Sequence, residues 1–139
     1  NKQSGLYGLS CGHSDMRDII ENAAKGDENC AFAIDAFVYS LLKTIGSYVA
    51  VLGGVDALIF TAGIGENASL VREKLCARLA YLGIELDGEK NRARPAPAEI
   101  SAPQSKVKVY VIPANEELMI ASETFALLDE LAETEPLAV

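Results

Sequence analysis

Basic residues are scarce in this chain. Twelve Lys and Arg stand against 20 Asp and Glu among 139 residues, a formal charge of -8. Neutralising nucleic-acid phosphates takes clustered Lys and Arg, and the tightest basic group here is Arg92–Ala93–Arg94. That leaves little footing for a nucleic-acid surface, and the acidic balance also repels anionic membranes. Histidine occurs once, at His13, and cysteine three times, at Cys11, Cys30 and Cys76, with no Cys-x-x-Cys pair. A structural zinc site needs four such donors, so none is expected. An odd number of unpaired cysteines fits a reducing, cytoplasmic setting in which thiols pack as small apolar groups. No uninterrupted apolar run reaches the ~20 residues that cross a bilayer. The opening NKQSGLYGLS lacks the order of a secretory signal, and its start at Asn rather than Met reads as a piece of a longer chain.

What remains is ordinary globular material. Half of the residues are hydrophobic and 23% charged, which supports one domain over residues 1–139 with a real core. The first dozen residues, rich in glycine, read as a loop. Ser14 fits an N-cap, with Asp15 and Asp18 in the first turn of a helix running to about Ala24. Gly26 ends it and Asp27 can cap a longer one. Ile34, Phe37, Val38, Leu41, Leu42, Ile45, Tyr48, Val49 and Leu52 then recur at helical spacing, until Gly53–Gly54 stops the pattern. Ala31, Ala33 and Tyr39 lie off that stripe and predict a second buried face, hence self-association.

The short apolar run Ala57–Phe60 predicts a buried parallel strand. A glycine turn, TAGIGEN, follows, then a helix over 68–79 with Leu70, Val71, Leu75 and Leu79 inward and Arg72 and Arg78 solvated. Residues 87–105 carry three prolines and read as a loop with a brief strand near Ile100. Lys106–Ile112 alternates as a strand does. Asn115 can cap a last helix from Glu116 to about Leu131, with Leu118, Ala121, Phe125, Leu128 and Leu131 as its buried face. This order is α/β, with two parallel strands joined by a right-handed crossover. Typical sheets have about five or six strands, so the pattern expects more strands from upstream or from another chain.

Ligands of α/β sheets sit beyond the carboxyl ends of strands. One such end is Gly63–Ile64–Gly65–Glu66–Asn67, where glycines can admit a ligand to the main chain and a helix start can face an anion. The spacing Gly63-x-Gly65-x-x-Ala68, with Glu85 or Asp87 about 20 residues on, also matches a dinucleotide fingerprint. A tight turn that needs glycine for geometry alone fits equally. The other end is Pro113–Ala114–Asn115–Glu116–Glu117. Its carboxylates can hold Mg²⁺ through water or can simply favour a helix dipole. A third feature is Ser14–Asp15–Met16–Arg17–Asp18, where Arg17 can stack on a planar base or pair with a neighbouring acid.

Taken together and in order, GLYGLSCGHSDMRDI, GVDALIFTAGIGEN and VKVYVIPANEELMIA resemble the C-terminal part of the acetate kinases. That family belongs to the acetate and sugar kinase, Hsp70 and actin superfamily. The resemblance implies an α/β fold of the ribonuclease H-like kind, with an incomplete parallel or mixed sheet packed by long helices. It implies reversible, Mg²⁺-assisted transfer of the terminal phosphoryl group of ATP to acetate, giving acetyl phosphate and ADP. Asp15, Met16 and Arg17 then fall where the family lines its adenosine pocket. Gly63, Ile64, Gly65, Glu66 and Asn67 fall on the segment that holds the nucleotide, and Glu116 on the carboxylate associated with magnesium. The dinucleotide reading gives way to this one. Propionate and butyrate kinases share parts of the pattern. Departures occur at Cys11–Gly12–His13, where small or hydroxyl residues are usual, and at Ala114, where threonine is common. The family's phosphate clamp, acetate pocket and catalytic Asp match nothing in this chain, so no catalytic residue is assigned and the piece alone is expected to be inactive. A homodimer is also implied.

Overall fold

The structure, a computed structural model, describes residues 4–93 and 97–134. After a single helical turn, α1 (Leu6–Leu9), come α2 (Met16–Ala24) and α3 (Glu28–Leu52). Strand β1 (Ala57–Phe60) leads into α4 (Ala62–Asn67) and α5 (Ser69–Arg78), followed by a 3-10 turn at Ala80–Leu82 and α6 (Gly88–Arg92). Strands β2 (Ala98–Glu99) and β3 (Lys108–Val111) precede the last helix, α7 (Glu116–Thr134).

The sheet has the order β1-β3-β2 among the described residues. β1 and β3 run parallel, with Phe60 opposite Val111, and β2 pairs antiparallel with β3. The parallel crossover expected from sequence is therefore present, in a mixed sheet. Ala57–Phe60 is a parallel strand as expected but not a buried one: only Phe60 is buried, and Ile59 is 54% exposed, because the outer side of β1 carries no partner strand among the described residues. Along β3 the side chains alternate, Val107, Val109 and Val111 buried and Lys108 exposed, as a half-covered strand requires. These valines join Phe60, Val71, Leu75, Leu79, Ile84 and Ile100 in one core with Ile19, Ile34 and Val38 of the two first long helices.

Local chemistry explains most of the boundaries. Asp27 accepts from the Cys30 amide at 3.0 Å and starts α3. Gly53 ends it at φ 73°, a left-handed conformation that glycine adopts without strain. Asp15, not Ser14, caps α2, accepting from the Arg17 amide at 2.8 Å. Asp87 caps α6 inside the stretch that the prolines had marked as loop.

Two helix faces differ from expectation. In α3, Cys30, Ala33, Ile34 and Val38 are buried, whereas Ala31 and Tyr39 of the expected second face are exposed. By length and composition alone α3 could also cross a membrane, yet it packs against α1, α2 and α5, and its Asp35 pairs with Lys74 at 2.7 Å. In α7 the expected buried face is open: Leu118, Ala121, Phe125, Leu128 and Leu131 are all exposed. The periodicity was real, but nothing within the described residues covers that face. Of the thiols, Cys30 and Cys76 are buried as expected and Cys11 is exposed.

Candidate functional site

The carboxyl end of β1 turns sharply. Ala62 has φ 60°, in the left-handed region that residues with a Cβ adopt rarely. The backbone reverses there and enters α4, so TAGIGEN is a short helix rather than an open glycine turn. Its two glycines have separate roles. A Cβ on Gly65 would lie 3.4 Å from the Phe60 carbonyl carbon, so α4 lies in contact with the end of the strand at this glycine. A Cβ on Gly63 would meet nothing within 4 Å.

Gly63 borders a cavity of about 550 Å³, within the ~300–1,000 Å³ typical of small-molecule sites. Ser14, Asp15, Met16, Arg17 and Ile20 form one wall; Gly63, Ile64, Asn67 and Ala68 form the other. Two segments almost 50 residues apart in sequence thus converge at one strand end. Gly65 and Glu66 are not among the residues that line it.

The first wall is strongly charged. The Arg17 guanidinium donates to Asp15 Oδ2 at 2.6 Å, and its side chain is 76% exposed. That side-chain bond, with the Arg17 amide, holds the Asp15 carboxyl down at about 2. The same pairing raises Arg17. Both are charged at neutral pH, and an exposed guanidinium tethered at the mouth of a cavity can swing onto a planar or anionic ligand. Met16 is buried beneath them. On the opposite wall Asn67 donates from Nδ2 to the Gly63 carbonyl at 2.9 Å.

Glu66 faces the second strand end. Its Oε1 accepts from the Ala114 amide at 2.9 Å, across 48 residues of sequence. Ala114 precedes the cap of α7, where Asn115 Oδ1 accepts from the Leu118 amide at 3.0 Å. Glu116 opens α7 and is exposed, with Glu117 beside it. No group of three His, Cys, Asp or Glu occurs among the described residues. Hard carboxylate oxygens suit Mg²⁺, which keeps several waters and takes one or two protein oxygens with the rest from phosphates. One exposed acid therefore fits as a partial ligand and not as a complete site.

Bonded to α4, though not lining the cavity, is a residue that the sequence reading misplaced. Arg72, expected to be solvated, is only 2% exposed. Its guanidinium donates to the carbonyls of Gly65 and Glu66 at 2.8 and 2.9 Å, and to Oδ1 and the carbonyl of Asn91 at 2.8 and 2.7 Å. Asn91, itself buried, donates to the Ser69 carbonyl at 3.0 Å. A guanidinium with five donors can terminate α4 and fasten α6 at once. The signal was in the sequence: Ala68, Arg72, Leu75 and Leu79 are spaced as one inward helix stripe. The acids that the dinucleotide pattern needed are engaged elsewhere, Asp87 in its cap and Glu85 with Gln104 at 2.6 Å.

Fold and cavity together define an α/β protein with an open cavity at the carboxyl end of a parallel strand, where ligands of such sheets sit. The model of the acetokinase family matches residues 1–122, and the chain belongs to that family. It is 52% identical over 128 residues to the acetate kinase of Heliobacterium modesticaldum, covering 92% of this chain and 32% of that protein. The acetate kinase structure of Porphyromonas gingivalis superposes with a TM-score of 0.85 at 43% identity, covering 92% of this chain and 32% of that one. A propionate kinase structure from Francisella tularensis gives 0.79 at 44% identity, covering 87% and 30%. The chain thus spans about a third of the length of the relatives it matches.

Proposed function

We propose that this chain supplies the nucleotide-binding side of an acetate kinase, an enzyme moving the terminal phosphoryl group of ATP reversibly to acetate with Mg²⁺. The observation that carries the reading is the cavity in which Asp15–Arg17 and Gly63–Asn67 meet at the end of β1. Family membership supports the reaction class. The sheet would then be one part of a larger ribonuclease H-like core, whose further strands lie along the open side of β1.

The roles follow from chemistry. Phosphoryl transfer depends chiefly on positioning and charge stabilisation. Gly63, lacking a side chain on the cavity wall, lets the nucleotide reach the main chain of α4. Arg17 covers one face of the adenine, and Asn67 meets the ribose or base. Asp15 keeps Arg17 oriented while the site is empty. Glu116 would hold Mg²⁺ through water, and the ion would supply charge neutralisation at the phosphates. The resemblance puts the phosphate clamp, the acetate pocket and the catalytic acid in the other two thirds of a family chain, so this chain alone turns over no acetate. We place the enzyme in the cytoplasm as a homodimer, the exposed apolar residues of α3 and α7 being available for burial.

A coupled assay with acetate, ATP and Mg²⁺ tests this directly. No turnover is expected from the isolated chain, and turnover abolished by Glu116→Ala would refute its inactivity. A propionate kinase is the second reading, favoured by the Francisella structure. The ratio of kcat/KM for acetate and propionate in the full-length protein decides between them.

A further inference from the structure

We infer that Glu66 is a positioning residue that couples the nucleotide cavity to the acid of the neighbouring strand end, rather than a residue that touches nucleotide. This rests on the nucleotide reading of the cavity and assigns Glu66 a different task within it.

Three observations carry the inference. Glu66 belongs to the helix that forms one cavity wall, yet Gly63, Ile64 and Asn67 line the cavity and Glu66 does not. Its carboxylate accepts from the Ala114 amide at 2.9 Å, two residues before Glu116. Its own carbonyl accepts from buried Arg72 at 2.9 Å, and the neighbouring Gly65 carbonyl accepts from the same guanidinium at 2.8 Å. Glu66 is thus anchored at its backbone and reaches outward with its side chain. β1 and β3 are adjacent and parallel, with the Ile112 amide donating to the Phe60 carbonyl at 2.9 Å. Beyond that last ladder bond the two chains diverge, one into α4 and the other into Pro113–Ala114–Asn115. Glu66 bridges the gap that opens there. A carboxylate accepting a backbone N–H makes a charge-assisted bond, stronger than a neutral one. It fixes the turn from which Glu116 departs relative to the wall on which the nucleotide rests. Residues that orient a metal's ligands without touching the metal typically alter metal affinity about 10–100-fold when removed.

The test titrates ADP into the 139-residue chain with and without Mg²⁺, following the thermal midpoint, and compares wild type, Glu66→Ala and Glu66→Gln. Amide hydrogen exchange at Ala114 is measured in the same proteins without ligand. Glu66→Ala is expected to speed exchange at Ala114 and to reduce the gain in ADP affinity that Mg²⁺ brings about tenfold. Glu66→Gln, which keeps an acceptor oxygen, is expected to restore most of both. An undiminished Mg²⁺ gain in Glu66→Ala, or unchanged exchange at Ala114, overturns the inference while leaving the nucleotide site standing. A wild-type chain with no ADP response overturns the site and the inference together.

Discussion

Replacing Arg72 with Met removes a buried guanidinium and keeps a side chain of comparable reach. Two of its bonds, to Oδ1 and the carbonyl of Asn91, are fully buried. The two to Gly65 and Glu66 are partly buried, so water can reclaim those carbonyls. Hydrogen bonds to charged groups contribute about 1.5–3 kcal/mol each, and a stranded buried acceptor costs a similar amount. Taking the low end for the two buried bonds and a small part for the others gives a loss of roughly 3–4 kcal/mol. That is a large share of the 5–15 kcal/mol typical of a domain. Urea denaturation reads it: with a slope of about 2 kcal/mol per molar, the midpoint falls by about 1.5–2 M. Arg78, on the same helix, is exposed and lies 5.7 Å over the Tyr39 ring; Arg78→Met is expected to shift the midpoint far less. An Arg72→Met shift no larger than that of Arg78→Met would refute the role given to Arg72.

Other consequences follow from the same geometry. Gly63→Val should weaken ADP binding about tenfold or more with little change in unfolding, because the side chain enters the cavity, whereas Gly65→Val should lower stability by about 1–3 kcal/mol through contact with Phe60; paired titration and melting experiments check both. Asp15 should titrate near 2 by carboxyl-carbon NMR, because its partner Arg17 favours the charged form. Its contribution to folding is complete above the ordinary carboxylate value of 3.8 and is lost as pH falls toward 2, and Arg17→Ala should move the titration back upward. Cys11 should react with a thiol reagent in the native protein. Burial pushes the Cys76 thiol up to about 12 and raises Cys30 as well, so both should react only on unfolding, which mass spectrometry after a short exposure can count.

The sequence was most legible where local chemistry acts alone. Asp27, Gly53 and the Ala57–Phe60 run marked α3 and β1 because caps, left-handed glycines and short apolar runs depend on neighbours in the chain. The pairing of Asp15–Arg17 with Gly63–Asn67 came from resemblance, since nothing in either segment points to the other. Arg72 was misplaced because a charged residue was read by its type and not by its position on the inward stripe. The bond from the Ala114 amide to Glu66 was not legible, because its two partners lie 48 positions apart in sequence. Helix α7 showed the opposite failure. Its apolar period is correct, but a period states only that a face can be buried and not that the partner is within reach.

The central claim is that Asp15–Arg17 and Gly63–Asn67 form one nucleotide site. Amide chemical-shift mapping during an ADP titration in the presence of Mg²⁺ tests it most directly. The account predicts saturable shifts concentrated in residues 14–20 and 63–68, with smaller ones near Ala114 and Glu116. Saturable shifts confined to the far end of α3 or to residues 98–105, with both cavity walls unmoved, would contradict it.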